Sequence, residues 1–128
     1  MKALLLAAGL GTRLRPLTDV LPKCLAPVAG TPVLEWWLEL LEEHGFDEVL
    51  INTSYRAPQV EEFVESFRTR TTLRIETSFE RRLLGTGGTL RKHASFFSPG
   101  QPVLVAHADN FTNADLSAFV AWSRPRLG

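Results

Sequence analysis

Two patterns of apolar residues alternate along the chain. Consecutive apolar runs at Ala3–Ala7 and at "VLI" within Glu48–Asn52 predict short strands covered on both faces. Between them Val33, Leu34, Trp37, Leu38 and Leu41 recur at helical spacing. Thr31 is placed to cap that helix, Pro32 to occupy its first turn and Gly45 to end it. Val60, Phe63, Val64 and Phe67 mark a second amphipathic helix, and Leu73, Ile75 and Thr77 alternate as a third strand. "GTGGTLRKHASFF" reads as a glycine turn entering a helix that carries Leu90, Ala94 and Phe97. Val103–Ala106 is a fourth strand and Ala114–Trp122 a last helix. Strands alternating with helices predict βαβ units and a parallel sheet in one domain spanning residues 1–128. After Trp122 comes "SRPRLG", where Pro125 stops the helix and no strand follows. The expectation is an interrupted sheet whose open edge invites self-association.

Composition adds limits. Among the 128 residues, 45% are hydrophobic and 22% charged, ordinary for a globular domain. Fourteen Lys and Arg balance fourteen Asp and Glu, which argues against a broad nucleic-acid surface. No apolar run is long enough to span a membrane. "MKALLLAAGLG" has the outline of an export signal, but Arg13 and Arg15 stand where a cleavage region should be small and uncharged, so a buried first strand is expected. Cys24 is the only cysteine, so no internal disulfide forms and a reducing cytoplasm is expected. The charge is nevertheless segregated. Residues 1–32 hold Lys2, Arg13, Arg15 and Lys23 against Asp19 alone, in a segment rich in glycine and proline. Such a cluster is a candidate anion site.

The loop after the first strand fits neither common nucleotide motif. Gly9-Leu10-Gly11-Thr12-Arg13-Leu14 matches two glycines of G-x-G-x-x-G, but Leu14 stands where a dinucleotide fold needs a small residue. The Lys-Ser/Thr of a Walker A loop is absent. What remains is a strand feeding a glycine loop with exposed N–H groups, Arg13 as a planar fork for phosphate and Lys23 as a point charge.

The stretch "LAAGLGTRLRPLTDVLPKCLAPVAGTPVLEW" resembles the signature of the sugar-1-phosphate nucleotidyltransferases, the nucleotide-sugar pyrophosphorylases. The likeness continues through "ETSFERRLLGTGGTL" and "VLVAHADNF", to about Trp122. It implies a three-layer α/β/α sandwich with a Rossmann-like sheet, truncated after its N-terminal nucleotide-binding part, the sugar-binding part being absent. It also implies that Leu6, Ala7, Ala8 and Gly9 line the base and ribose pocket, that Gly11, Thr12 and Arg13 hold a triphosphate, and that Lys23 lies near the α-phosphate and a sugar 1-phosphate. Arg13 and Lys23 would be the catalytic cations.

Asp109 follows the fourth strand, at the end where ligands gather in parallel sheets, and its carboxylate could hold Mg²⁺ against phosphate oxygens. The resemblance implies the same metal role, with Ala108 standing where relatives carry Gly. Gly85, Thr86 and Gly87 resemble the family's second glycine loop, and Glu80 falls where relatives place a base-reading side chain. A carboxylate suits the two adjacent donors of guanine better than the single donor of uracil or thymine, so Glu80 inclines the reading to GTP. His44 is expected at a helix C-terminus, His107 beside the metal site, and Trp36, Trp37 and Trp122 in helix packing. Three functions stay open: a guanylyltransferase acting on mannose or heptose 1-phosphate, a uridylyl-, thymidylyl- or cytidylyltransferase with the same loop, and a non-catalytic nucleotide-binding or assembly module.

Overall fold

A computed structural model of the chain describes residues 1–126. Leu127 and Gly128, which close both the expected domain and the "SRPRLG" segment, lie outside the described residues. In chain order the elements are β1 (Lys2–Leu6), β2 (Pro27–Val28), β3 (Thr31–Pro32), α1 (Val33–Glu43), β4 (Glu48–Thr53), α2 (Ala57–Arg68), β5 (Arg74–Phe79), α3 (Gly85–Lys92), β6 (Val103–His107) and α4 (Leu116–Ser123). Short 3-10 turns occupy Thr12–Leu14, Leu17–Asp19, Lys23–Leu25, Ala94–Phe96 and Arg124–Arg126.

The main sheet has the order β5-β4-β1-β6, and every neighbouring pair is parallel. Register is continuous: Leu4 stands between Leu50 and Val105, and Leu6 between Asn52 and His107. Ala3, Leu5, Val49, Ile51 and Ile75 share one face, where they pack with Leu34, Leu38 and Leu41 of α1, Val60, Val64 and Phe67 of α2, and Leu116 and Val120 of α4. Leu4 and Leu50 point the other way and are also buried, as a parallel sheet covered on both faces requires. On that side Lys2 Nζ donates to Phe96 O at 2.7 Å and lies over the Phe96 ring. The expected α/β architecture and first strand are therefore present. The chain winds outward from β1 to β4 and β5, then crosses back to β6 beyond β1. The carboxyl ends of β1 and β6 thus flank a switch point, where the crevice of an open α/β sheet opens.

Several local expectations change. Thr31 does not cap α1; it pairs antiparallel with Val28 across Ala29 and Gly30, whose φ values of 50° and 79° make a tight two-residue hairpin. Pro32 takes the N-cap position without a side-chain hydrogen bond, and Val33 N–H donates to Ala26 O at 3.0 Å instead. The other end of α1 follows expectation. Gly45, at φ 76°, lets its N–H reach Glu42 O and the Phe46 N–H reach Leu41 O, while Phe46 and Leu41 both enter the core. The glycines of "GTGG" lie inside the first turn of α3 and not before it. That helix stops at Lys92, so Ala94 and Phe97 are not on it, and Ala94 is exposed. α4 begins two residues later than expected, with the Asp115 carboxylate accepting from Ala118 N–H at 2.9 Å. Trp122 on α4 is 59% exposed. β6 borders only β1 among the described strands.

Cys24 is 1% exposed, in the core cluster beneath the first loop, and burial pushes its thiol up to about 12 from an ordinary 9.0. The folded state therefore keeps a proton that the unfolded state releases between about pH 9 and 12. Stability is full below pH 9 and falls as the pH rises above it. Urea midpoints for wild type and Cys24→Ala, compared at pH 8 and 10.5, should show wild type losing more stability than the variant. Equal losses would refute this account.

Candidate functional site

One cavity opens at the carboxyl ends of the parallel strands. Leu6, Ala7, Ala8 and Gly9 line it from the end of β1, Lys23 and Cys24 from the first loop, and Asn52 from β4. Glu80, Leu83, Gly85 and Thr86 close it on the β5–α3 side, and His107 and Asp109 on the β6 side. The structure thus brings together most of the residues singled out from the sequence. Gly11, Thr12, Arg13 and Gly87 are not among its walls. Arg13 sits on the exposed 3-10 turn beside it, without an ion-pair or hydrogen-bond partner among the described residues.

The early basic cluster divides by partner. Arg15 lies 3.3 Å from the Asp19 carboxylate. Lys2 belongs to the amino end of the sheet, 3.8 Å from Glu48, and has no part in the cavity. Lys23 Nζ donates to Asp109 Oδ2 at 2.5 Å across the cavity mouth, both side chains about one-third exposed. Of this cluster Arg13 alone has no ion-pair or hydrogen-bond partner among the described residues. A guanidinium in that state is free to meet an incoming anion.

The first loop is folded around Gly11. Its φ of 64° lies in the left-handed region, and an added Cβ would stand 2.8 Å from Thr18 Cγ2 and 3.0 Å from Lys23 Cβ. Thr18, 1% exposed, donates from Oγ1 to Gly11 O at 2.6 Å. The outgoing limb is tethered to the β4–α2 junction. Tyr55 Oη donates to Thr18 O at 2.6 Å, Gln59 Nε2 to Val20 O at 2.9 Å, and the Arg56 guanidinium to Asp19 O. Gly9 is different: it is exposed, with open space around its α-carbon, which leaves its backbone accessible to a ligand.

Between the two glycine segments lies a buried polar cluster that the sequence did not disclose. Asn52 Oδ1 accepts from Ala7 N–H at 2.7 Å, and Asn52 Nδ2 donates to Glu80 Oε1 at 3.2 Å and to Thr89 Oγ1 at 3.4 Å. Thr89 Oγ1 donates to Glu80 Oε1, and Leu84 N–H donates to Glu80 Oε2 at 3.3 Å. Asn52, Glu80 and Thr89 are 4%, 2% and 0% exposed. Glu80 lines the cavity as expected for a residue of this site, and its oxygens accept from three donors of the protein.

The loop that carries Asp109 is held by α1. Trp37 Nε1 donates to Asn110 O at 2.7 Å, next to Asp109, and Trp36 Nε1 donates to Val28 O at 3.0 Å while its ring meets Phe111 edge-on. Ala108, at 0% exposure, sends its methyl into the core and its N–H to Leu6 O at 3.0 Å, so the added methyl does not crowd the loop. His107 is exposed at the cavity, while His44 lies elsewhere, its Nδ1 2.7 Å from Ser117 Oγ. No group of three potential metal ligands exists among the described residues. The Asp109 carboxylate, already holding one cation in Lys23, fits Mg²⁺ as a single hard oxygen ligand, the others being phosphate or water. Neither the Asn52 cluster nor the Trp37 bond carries a motif; a buried Asn ending an apolar strand was the one available sign.

These two glycines should respond differently to a methyl group. Gly11→Ala is expected to lower unfolding free energy by about 1–3 kcal/mol through its left-handed backbone and the contact with Thr18. Gly9→Ala should stay within about 0.5 kcal/mol. Denaturant titration of the two variants checks the contrast, and equal losses would contradict it.

Comparison with known proteins places the chain in a family. The family described as Nucleotidyl transferase matches residues 2–126. The chain is 40% identical over 105 residues to a UTP–glucose-1-phosphate uridylyltransferase of Synechocystis sp., covering 75% of this chain and 27% of that protein. It is 35% identical over 118 residues to the D-glycero-alpha-D-manno-heptose 1-phosphate guanylyltransferase of Campylobacter jejuni, covering 91% of this chain and 51% of that one. Among solved structures, HddC from Yersinia pseudotuberculosis complexed with GMP-PN superposes with a TM-score of 0.81 at 26% identity, covering 95% of this chain and 53% of that one. The chain therefore spans between about a quarter and a half of the length of these relatives. By profile, sequence and fold it belongs to the nucleotidyl transferase family.

Proposed function

We propose that the chain is the nucleotide-binding part of a sugar-1-phosphate nucleotidyltransferase, with GTP as its nucleotide. The observation that carries this reading is the juxtaposition of Lys23 and Asp109 across one cavity, beside the exposed backbone of Gly9 and the unpartnered guanidinium of Arg13. In the reaction, an oxygen of the sugar 1-phosphate bonds to the α-phosphorus of the triphosphate, the bond from that phosphorus to the β-bridging oxygen breaks, and pyrophosphate leaves. Such a transfer needs alignment and charge neutralisation more than a covalent nucleophile. Arg13 would bind the leaving phosphates, Lys23 the α-phosphate and the entering sugar phosphate, and Asp109 would hold Mg²⁺. The metal, when bound, supplies neutralising charge on the phosphate oxygens.

Guanine is supported by the guanylyltransferases among the relatives and by the HddC complex. Uridylyl transfer is the second reading, favoured by relatives at 36% and 40% identity that carry that activity. The choice between mannose and heptose 1-phosphate belongs to residues beyond the cavity described above. A lone buried thiol suits the reducing cytoplasm proposed as its setting.

Calorimetric titration with GTP, UTP, dTTP and CTP, with and without Mg²⁺, tests the proposal. Wild type should bind GTP in preference and more tightly with the metal. Arg13→Ala should weaken binding by roughly 10- to 100-fold, the scale of a lost charged hydrogen bond. Asp109→Ala should erase the difference between titrations with and without Mg²⁺. Absence of binding to all four triphosphates by wild type would sink the reading.

A further inference from the structure

Lys23 and Asp109 neutralise each other across the mouth of the cavity, yet the proposed reaction needs each of them for a different ligand. We propose that the pair is an exchange latch: Lys23 masks the Asp109 carboxylate from a divalent cation until a triphosphate draws the ammonium away. Cation and nucleotide then enter as a pair, each binding better in the other's company. This deepens the nucleotide-binding reading above and rests on it for the identity of the anion.

One arm of the pair is fixed and the other can swing. Asp109 stands between Ala108, buried in the core with its N–H on Leu6 O, and Asn110. The Asn110 carbonyl accepts from Trp37 Nε1, and its N–H donates to His107 O at 3.2 Å. That backbone has little room to follow a ligand. Lys23 is anchored only at its root. Leu25 N–H donates to Pro22 O at 2.9 Å and Ala26 N–H to Lys23 O at 3.0 Å, while the neighbouring Cys24 is buried. Lys23 Cβ lies 3.0 Å from where a Cβ on Gly11 would stand. Among the described residues, the side chain's one hydrogen bond is to Asp109 Oδ2, at 2.5 Å. A lysine is a point charge on a flexible stem, so its ammonium can turn to a nearby phosphate while the loop stays in place. Both side chains are about one-third exposed, so water reaches the contact and lets it open.

Charge sets the order of events. A single carboxylate is a weak cage for Mg²⁺, which ordinarily adds phosphate oxygens to one or two carboxylates. With the ammonium on Oδ2, even that ligand is neutralised, and a cation on the other oxygen would lie beside a like charge. An incoming triphosphate meets the opposite situation. Arg13 offers it an unmatched charge beside the mouth, and its oxygens then compete with Asp109 for Lys23. Once Lys23 has moved, Asp109 is anionic next to phosphate oxygens, the donor set that suits Mg²⁺. By linkage, the cation then favours nucleotide by the same factor as nucleotide favours the cation.

Two titrations test the latch without interference from metal held by free nucleotide. Mn²⁺ alone, followed by electron paramagnetic resonance, would be added to wild type, Lys23→Met and Asp109→Asn. Lys23→Met should bind it about three- to tenfold more tightly than wild type, the scale of a partly exposed ion pair, and Asp109→Asn should lose the site. GTP in EDTA would be titrated into wild type, both variants and the double variant. Asp109→Asn should tighten metal-free GTP, by about threefold more with Lys23 present than in the Lys23→Met background. Lys23→Gln replaces the methionine variant in each arm if that variant folds poorly. An equal or smaller gain beside Lys23 would overturn the proposal, because a lysine that bridges carboxylate and phosphate at once exchanges nothing. Unchanged Mn²⁺ affinity in the Lys23 variant, or a Mn²⁺ site that survives Asp109→Asn, would overturn it as well. Failure of wild type to bind GTP would count against the function proposed above, and the Mn²⁺ titration would still decide whether Lys23 masks Asp109.

Discussion

All four strands of the main sheet run in one direction, and most of the site follows from that. Parallel strands deliver their carboxyl ends to one side, so the loops after β1, β4, β5 and β6 meet there whatever their sequences. The same geometry leaves each strand's last peptide groups beyond its neighbour's ladder, where they must find other partners. The chain meets this need with one-residue extensions: Ala108 N–H donates to Leu6 O and Glu80 N–H to Thr53 O. At Ala7 no main-chain acceptor is in place, and the Asn52 carboxamide serves instead. A backbone requirement has thus put a polar side chain at the floor of the cavity.

The cations show a division between structure and readiness. Arg15 is matched within its own loop and Lys2 at the opposite end of the sheet, so their charges are spent locally. Lys23 is held by Asp109 through about one-third exposed side chains, a contact that water and competing ions weaken. Arg13 projects from a turn whose shape depends on the missing Cβ of Gly11. The loop is therefore firm at its base, through Thr18, Tyr55 and Gln59, and open in charge at its tip.

The sequence disclosed whatever repeats along one element. The run Ala3–Leu5, the spacing from Leu34 to Leu41 and the terminating Gly45 each report a local period or backbone state, and each appears in the fold. It disclosed the loops for a similar reason, since Gly9, Lys23 and Asp109 sit at motif distances from one another. It was silent wherever a residue's role depends on a partner far along the chain. Thr31 looks like a helix cap until Val28 folds back on it, and nothing local to Glu80 announces the Asn52 and Thr89 side chains that reach it from 28 and 9 residues away. Trp37 reads as helix packing, and only the fold shows its indole N–H on the carbonyl of Asn110, 73 residues on.

That last bond gives the site an optical property. An indole's emission responds to the dipoles around it, and here one neighbouring dipole is a carbonyl of the loop that carries Asp109. Trp36 meets Phe111 on the same loop, so two adjacent chromophores view it from one helix. Rearrangement of the acidic loop is thereby written into the intrinsic light of the chain.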